Sequence, residues 1–103
     1  MSEKLVRDLI PAIITESGGV PRYRVAGSER EMQRFVREKL IEEYDEIVEA
    51  EDFASKIEEA GDILEVVRTV FRLNGVSMKQ AEAAADQKYL KRGGFTSGYI
   101  LHT

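Results

Sequence analysis

The chain has 103 residues, of which 43% are apolar and 33% are charged, and its formal net charge is −4. These values predict one domain over residues 1–103, with little surplus stability if it stands alone, and they argue against a nucleic-acid polymer as partner. The chain lacks cysteine, a signal-peptide pattern and an apolar run of membrane-spanning length, so we expect a cytoplasmic protein with no membrane partner.

The first part of the chain predicts a short helix, a connector and a long helix. Pro11 suits the first turn of the short helix, because a proline there gives up no hydrogen bond that the helix needs. Residues 20–26 predict an extended connector, with a short strand as the alternative. Ser28 and Glu31 form a capping-box pattern, which predicts that a long helix begins there and covers about residues 29–51.

The second part of the chain predicts two further helices. A second long helix covers about residues 54–73, and a second capping-box pattern, Ser77 with Gln80, opens an alanine-rich helix that ends near Arg92. The fold class is therefore all-α, with antiparallel helices. Because two long and two short helices do not easily enclose a core, we expect a four-helix-bundle core completed by oligomerisation, as a homodimer or homotetramer.

Some carboxylates of the two long helices lie at positions where helical periodicity predicts apolar side chains. At about 100° per residue, Glu43 lies inside the core-facing arc of the first helix, which also includes Tyr44, and Glu46 lies between two other apolar residues. In the second helix, Glu59 lies inside the apolar arc and Asp62 lies at its edge. A buried carboxylate costs several kcal/mol unless it is paired or bound to a metal, so we expect these charges to be neutralised.

The acidic residues form two pairs, Glu43 with Glu46 and Glu59 with Asp62, whose members are three residues apart and so are neighbours on one helix face. If the two pairs face each other, they offer four oxygen ligands, which suit Mg²⁺ or Mn²⁺. A zinc or copper site is not expected, because the chain has no cysteine and a single histidine, His102. The alternative interpretation is a solvated acidic surface.

Four motifs occur in order along the chain. They are KLVRDLIP at 4–11, Glu-Glu-x-x-Glu at 42–46, Glu-x-x-Asp at 59–62 and KYLKRGGF at 88–95. The acidic motifs resemble the signature of the MazG-like superfamily of all-α nucleotide pyrophosphohydrolases. The two terminal motifs resemble the ends of its small single-domain branch, often labelled phosphoribosyl-ATP pyrophosphohydrolase-like.

The resemblance implies a metal-dependent hydrolase that cleaves a nucleoside triphosphate or related nucleotide between its α- and β-phosphates. The metal ligands would be Glu43, Glu46, Glu59 and Asp62, holding Mg²⁺ with Mn²⁺ as a plausible substitute. Glu42 or Glu46 would accept the proton of the attacking water. For Glu42 the alternative is a supporting role beside the metal ligands. A nucleotide tail also needs positive partners, and the candidates are Lys4, Arg7, Lys88 and Arg92.

Two alternative functions stay open at this point. The first is phosphoribosyl-ATP pyrophosphohydrolase activity in histidine biosynthesis, because nothing in the sequence selects a base. The second is a non-catalytic acidic helical module that binds a metal or a partner.

Overall fold

A computed structural model describes residues 2–102, in which the regular elements are four α-helices and no strand occurs. The helices are α1 (Ile10–Glu16), α2 (Glu29–Glu49), α3 (Phe53–Leu73) and α4 (Met78–Arg92). The predicted all-α fold class is therefore confirmed. Within the described part of the chain, no helix combines the length and the hydropathy that crossing a membrane requires.

The chain divides into two compact units, Met1–Val70 and Phe71–Thr103. The first unit contains α1, α2 and most of α3, and the second contains the last residues of α3 and all of α4. The single domain over residues 1–103 stays a prediction.

The two helix starts that the capping patterns predict are both observed. The Ser28 hydroxyl accepts a hydrogen bond from the Glu31 N–H at 3.1 Å, and α4 begins with a complete capping box between Ser77 and Gln80. In α2 the box is incomplete, because the Glu31 carboxylate accepts the N–H of Gly27 at 2.8 Å. An N-terminal amide is satisfied in either arrangement, so the helix still begins at the predicted place.

The connector over residues 20–26 has no regular secondary structure, so the alternative of a short strand is wrong. Its place is fixed by Arg24, whose guanidinium donates to Glu3 at 2.9 Å and to Glu31 at 2.7 Å. These two ion pairs join the N-terminal segment, the connector and the beginning of α2. They therefore help to position Lys4, which directly follows Glu3.

The long helices α2 and α3 form a hairpin within the first unit. Three residues, 50–52, connect them, and such short connections join antiparallel neighbours. The Asp52 carboxylate accepts the Ser55 N–H at 2.7 Å at the start of α3, and Lys56 donates to the carbonyl of Ile47 at 3.1 Å.

The apolar core of the described residues is small. Val36 of α2 and Val66 of α3 are its buried apolar side chains. Tyr44, which the sequence places on the core-facing arc, is 61% exposed, so that part of the arc is wrong for the single chain. The four-helix-bundle core stays a prediction.

Candidate metal centre

Carboxylates of α2 and α3 come together in two overlapping groups. Glu42, Glu43 and Glu46 form the first group, and Glu43 with Glu59 and Asp62 forms the second. Within each group, one oxygen atom of every residue lies within 4.8 Å of those of the others. Glu43 belongs to both groups, so it is the centre of a cluster of five acids, which we call the acidic cluster.

Glu43 is the most deeply placed of these acids. Its exposed fraction is 4%, which agrees with its predicted place among the apolar residues of α2. Its Oε2 atom and the Oε2 atom of Glu59 are buried and have no hydrogen-bond partner among the described residues. A buried acceptor without a partner costs free energy, and more when it is charged, so both atoms need a ligand that residues 2–102 do not supply.

Two acids of the cluster, Glu43 and Glu59, have raised pKa values. Burial raises the pKa of Glu43, and the charge of Glu46 adds to the rise, although the nearby Lys39 opposes it. The pKa of Glu59 is raised to about 7 by burial, followed by its contacts with Glu46 and Glu43. Without a cation, the cluster therefore retains a proton close to neutral pH, and a divalent ion would compete with that proton.

Lys39 is a member of the site that the sequence reasoning missed. Its ammonium nitrogen lies 3.3 Å from Glu42 Oε2 and 3.3 Å from Glu43 Oε1, and its side chain is 20% exposed. Burial acts to lower the pKa of Lys39, but the hydrogen bonds to Glu42 and Glu43 outweigh it and raise the pKa. The sequence could have predicted this contact, because Lys39 precedes Glu42 by three residues and Glu43 by four, and side chains at these spacings are neighbours on a helix.

The predicted phosphate ligands of the N-terminal segment lie beside the acidic cluster. Arg7 donates to Asp62 Oδ1 at 2.6 Å, and the Lys4 ammonium lies 3.9 Å from Glu42 Oε1. Their segment is not helical, so they do not share a helix face. Both cations contact carboxylates of the candidate metal site, where an anion bound to the metal would also meet them.

The other two predicted phosphate ligands, Lys88 and Arg92, belong to the second unit. They are one turn apart on the last part of α4, and both are exposed. The helix ends at Gly93, which has a positive φ of 75° and donates its N–H to the carbonyl of Tyr89. Their role in phosphate binding stays a prediction.

A cleft of about 180 Å³ adjoins the cluster, between the N-terminal segment and α2. Its lining includes Lys4, Lys39 and Glu42. Pockets that enclose a drug-sized ligand are usually about 300–1,000 Å³, so this cleft is too small for a whole nucleotide. It has room for a smaller polar group beside the acids.

The chemistry of the site rests on the residues just described. Comparisons with protein-family models, with curated proteins and with solved structures gave no match. The resemblance of the acidic motifs to the MazG-like superfamily therefore stays a prediction from the sequence.

Proposed function

We propose that this protein is a metal-dependent nucleotide pyrophosphohydrolase of the MazG-like type. Its substrate would be a nucleoside triphosphate or related nucleotide, cleaved between the α- and β-phosphates to a monophosphate and pyrophosphate. The candidate metal ligands are Glu43, Glu46, Glu59 and Asp62, with Mg²⁺ as the cofactor.

The observation that carries this proposal is a pair of carboxylate oxygens, one on Glu43 and one on Glu59, that are buried without a hydrogen-bond partner in residues 2–102. An exposed acidic patch has water to satisfy its oxygens, whereas these two atoms are removed from water within a group of acids 4.8 Å across. All the donors are oxygens, and no cysteine or histidine belongs to either group. This donor set suits a hard dication such as Mg²⁺ or Mn²⁺.

The residues around the cluster support phosphoryl chemistry. A bound dication would neutralise charge on the phosphates and orient the attacking water. Glu42 or Glu46 would take a proton from that water at a carboxylate oxygen. Arg7 and Lys4 would bind phosphate oxygens as charge-assisted donors, which requires Arg7 to exchange its contact with Asp62 for one with the substrate.

Pyrophosphate release tests the proposal directly. The wild-type chain is assayed with Mg²⁺ or Mn²⁺ on canonical and modified nucleoside triphosphates, beside phosphoribosyl-ATP, which represents the histidine-biosynthesis alternative. We expect turnover of at least one triphosphate, and a loss on the order of 100-fold or more for Glu43→Gln and Asp62→Asn, because each removes a charged ligand.

The matched control is Asp45→Asn, which neutralises an exposed acid two residues from Glu43 on the same helix. It should retain wild-type activity. If the wild type binds the metal but turns over none of these nucleotides, the non-catalytic metal-binding module replaces the enzyme as the better account.

A further inference from the structure

A segment close to the N-terminus contacts both helices of the acidic cluster. Residues 4–9, which we call the strap, contain no helix and no strand. At the beginning of the strap, the Lys4 ammonium lies 3.9 Å from Glu42 Oε1 on α2. Further along, the Arg7 guanidinium donates to Asp62 Oδ1 on α3 at 2.6 Å. The strap is therefore tied to the acidic cluster through its own two cations.

The two ends of the strap are fixed independently of the cluster. Glu3, which directly precedes the strap, accepts a hydrogen bond from Arg24 at 2.9 Å. At the other end α1 begins at Ile10, whose N–H donates to the Arg7 carbonyl at 3.1 Å. Loss of the contacts with the acidic cluster would therefore let the middle of the strap move while both ends stay in place.

The contacts between the strap and the cluster are weak. The side chains of Lys4 and Arg7 are 67% and 58% exposed, so water and salt screen both ion pairs. Leu5 is half-buried, and the other residues of the strap are exposed. Because little surface is buried beneath it, a competing charge at the cluster is enough to displace the strap.

A divalent cation supplies such a charge. Lys4 and Arg7 bring two positive charges to the cluster, which is the charge of one Mg²⁺ or Mn²⁺ ion. These cations do not satisfy the cluster, because Glu43 Oε2 and Glu59 Oε2 are buried without a hydrogen-bond partner in the described part of the chain. A dication bound among the acids would repel the Arg7 guanidinium and neutralise charge on Asp62, and both effects weaken the contact between them.

The strap also limits the space beside the acids. Lys4 and Leu5 of the strap line the cleft of about 180 Å³, together with residues of α2 such as Phe35 and Lys39. Pockets that enclose a drug-sized ligand are usually about 300–1,000 Å³, so the cleft has to widen before a nucleotide can enter. Movement of the strap away from α2 would widen it.

We propose that the strap is a metal-responsive gate to the candidate site. Without a metal, Lys4 and Arg7 hold the strap against the acids and keep the cleft narrow. On binding of a divalent cation, both side chains leave the acids, the middle of the strap moves away, and the two cations become free to bind an anion. The metal therefore binds before the nucleotide. This inference rests on the metal centre of the proposed function, but not on hydrolysis.

The first test is the affinity of the full-length chain for Mn²⁺, followed by electron paramagnetic resonance at pH 8. If the metal releases Arg7, then Arg7 must oppose the metal by the same free energy, because coupling between two bound groups is reciprocal. Arg7→Gln should therefore bind Mn²⁺ on the order of 10-fold more tightly than the wild type. A side chain that only positioned Asp62 for the metal would give the opposite sign, since loss of such support weakens metal binding.

Two variants are the controls for this change. Arg7→Lys retains the charge, and Arg22→Gln removes an exposed cation outside the strap. Both should bind Mn²⁺ with nearly the affinity of the wild type. Unchanged or weaker binding by Arg7→Gln, or an equal gain in Arg22→Gln, overturns the proposal.

The second test follows the strap itself. The chain has no cysteine, so Val6→Cys provides a single attachment point for a nitroxide label within the strap. Saturating Mg²⁺ should make this label more mobile, whereas a label at Val48→Cys, an exposed position of α2, should not change. Asp62→Asn should give the mobile spectrum without any metal, because it removes the charge that holds Arg7.

The outcomes separate this inference from the proposed function. If Mn²⁺ binds but Mg²⁺ leaves the label at residue 6 unchanged, the gate is wrong and the metal centre stands. If no ion binds, the metal centre and the gate are both wrong. If the metal frees the strap but no nucleotide is hydrolysed, the gate stands and the hydrolase is wrong.

Discussion

At the scale of single residues, Glu43 and Glu59 set the chemistry of the candidate site. Each has a buried carboxylate oxygen for which the described part of the chain offers no hydrogen-bond partner, and each has a raised pKa. The sequence could predict the position of both, because helical periodicity alone placed them among apolar residues. It could not predict that their pKa values are raised, since that depends on distances between two helices.

The raised pKa of Glu59 predicts how stability responds to pH in metal-free buffer. Its pKa is about 7 in the folded chain against an ordinary value of 4.5. Between these values the folded state binds more protons than the unfolded state, so this group makes stability fall as pH rises from about 4.5 to 7. Urea unfolding across this range should show that fall, and Glu59→Gln should flatten it.

Groups with lowered pKa values do not produce the same signal. The pKa of Glu31 is lowered to about 2 by Arg24 and by the N–H of Gly27, so its contribution is lost only as pH falls below about 4.5. The window above pH 4.5 therefore isolates the acidic cluster. An equally steep fall in Glu59→Gln would contradict the assignment of the effect to this carboxylate.

Lys39 is expected to be the internal counter-ion of the cluster. Lys39→Met leaves Glu42 and Glu43 without their ammonium partner, so the free energy of unfolding in metal-free buffer at pH 8 should fall by about 1–3 kcal/mol. Added Mg²⁺ should recover much of this loss, because it replaces the missing positive charge.

Lys39→Arg is the matched control for that change, since it retains the charge with a different shape. It should lose less stability than Lys39→Met. If Mg²⁺ does not reduce the difference between Lys39→Met and the wild type, the role of Lys39 is packing alone.

At the scale of elements, capping residues explain how much could be predicted. Ser28 and Ser77 marked the starts of α2 and α4 correctly, because a cap depends on residues close in sequence. The connector over residues 20–26 was less predictable. Its conformation depends on the ion pairs of Arg24. Their partners are Glu3, 21 positions away along the chain, and Glu31, 7 positions away.

The Arg24 ion pairs give a prediction for the N-terminal segment. Arg24→Gln removes both pairs, so the backbone amides of the segment that carries Lys4 and Arg7 should exchange with deuterated water faster than in the wild type. Arg22→Gln, which removes an exposed cation of the same connector, is the control and should leave this exchange unchanged. Equal exchange rates in both variants would mean that Arg24 does not hold the segment.

At the scale of the whole molecule, the main limit on sequence reasoning was that periodicity does not tell a buried apolar side of a helix from an exposed one. Periodicity placed Tyr44 on a core-facing arc, yet Tyr44 is exposed in the single chain. A helical pattern shows which side of a helix is apolar, but it does not show whether the same chain or another one covers that side. The acids Glu43 and Glu59 escaped this ambiguity because the acids beside them belong to the same hairpin.

The central claim is that carboxylates converging within one hairpin bind a divalent cation. Binding of Mn²⁺ to the wild type, Glu43→Gln and Asp45→Asn, followed by electron paramagnetic resonance at pH 8, tests it most directly. We predict that Glu43→Gln binds Mn²⁺ on the order of 100-fold more weakly than the wild type, while Asp45→Asn binds it equally well. Equal affinities for the wild type and Glu43→Gln would contradict the claim.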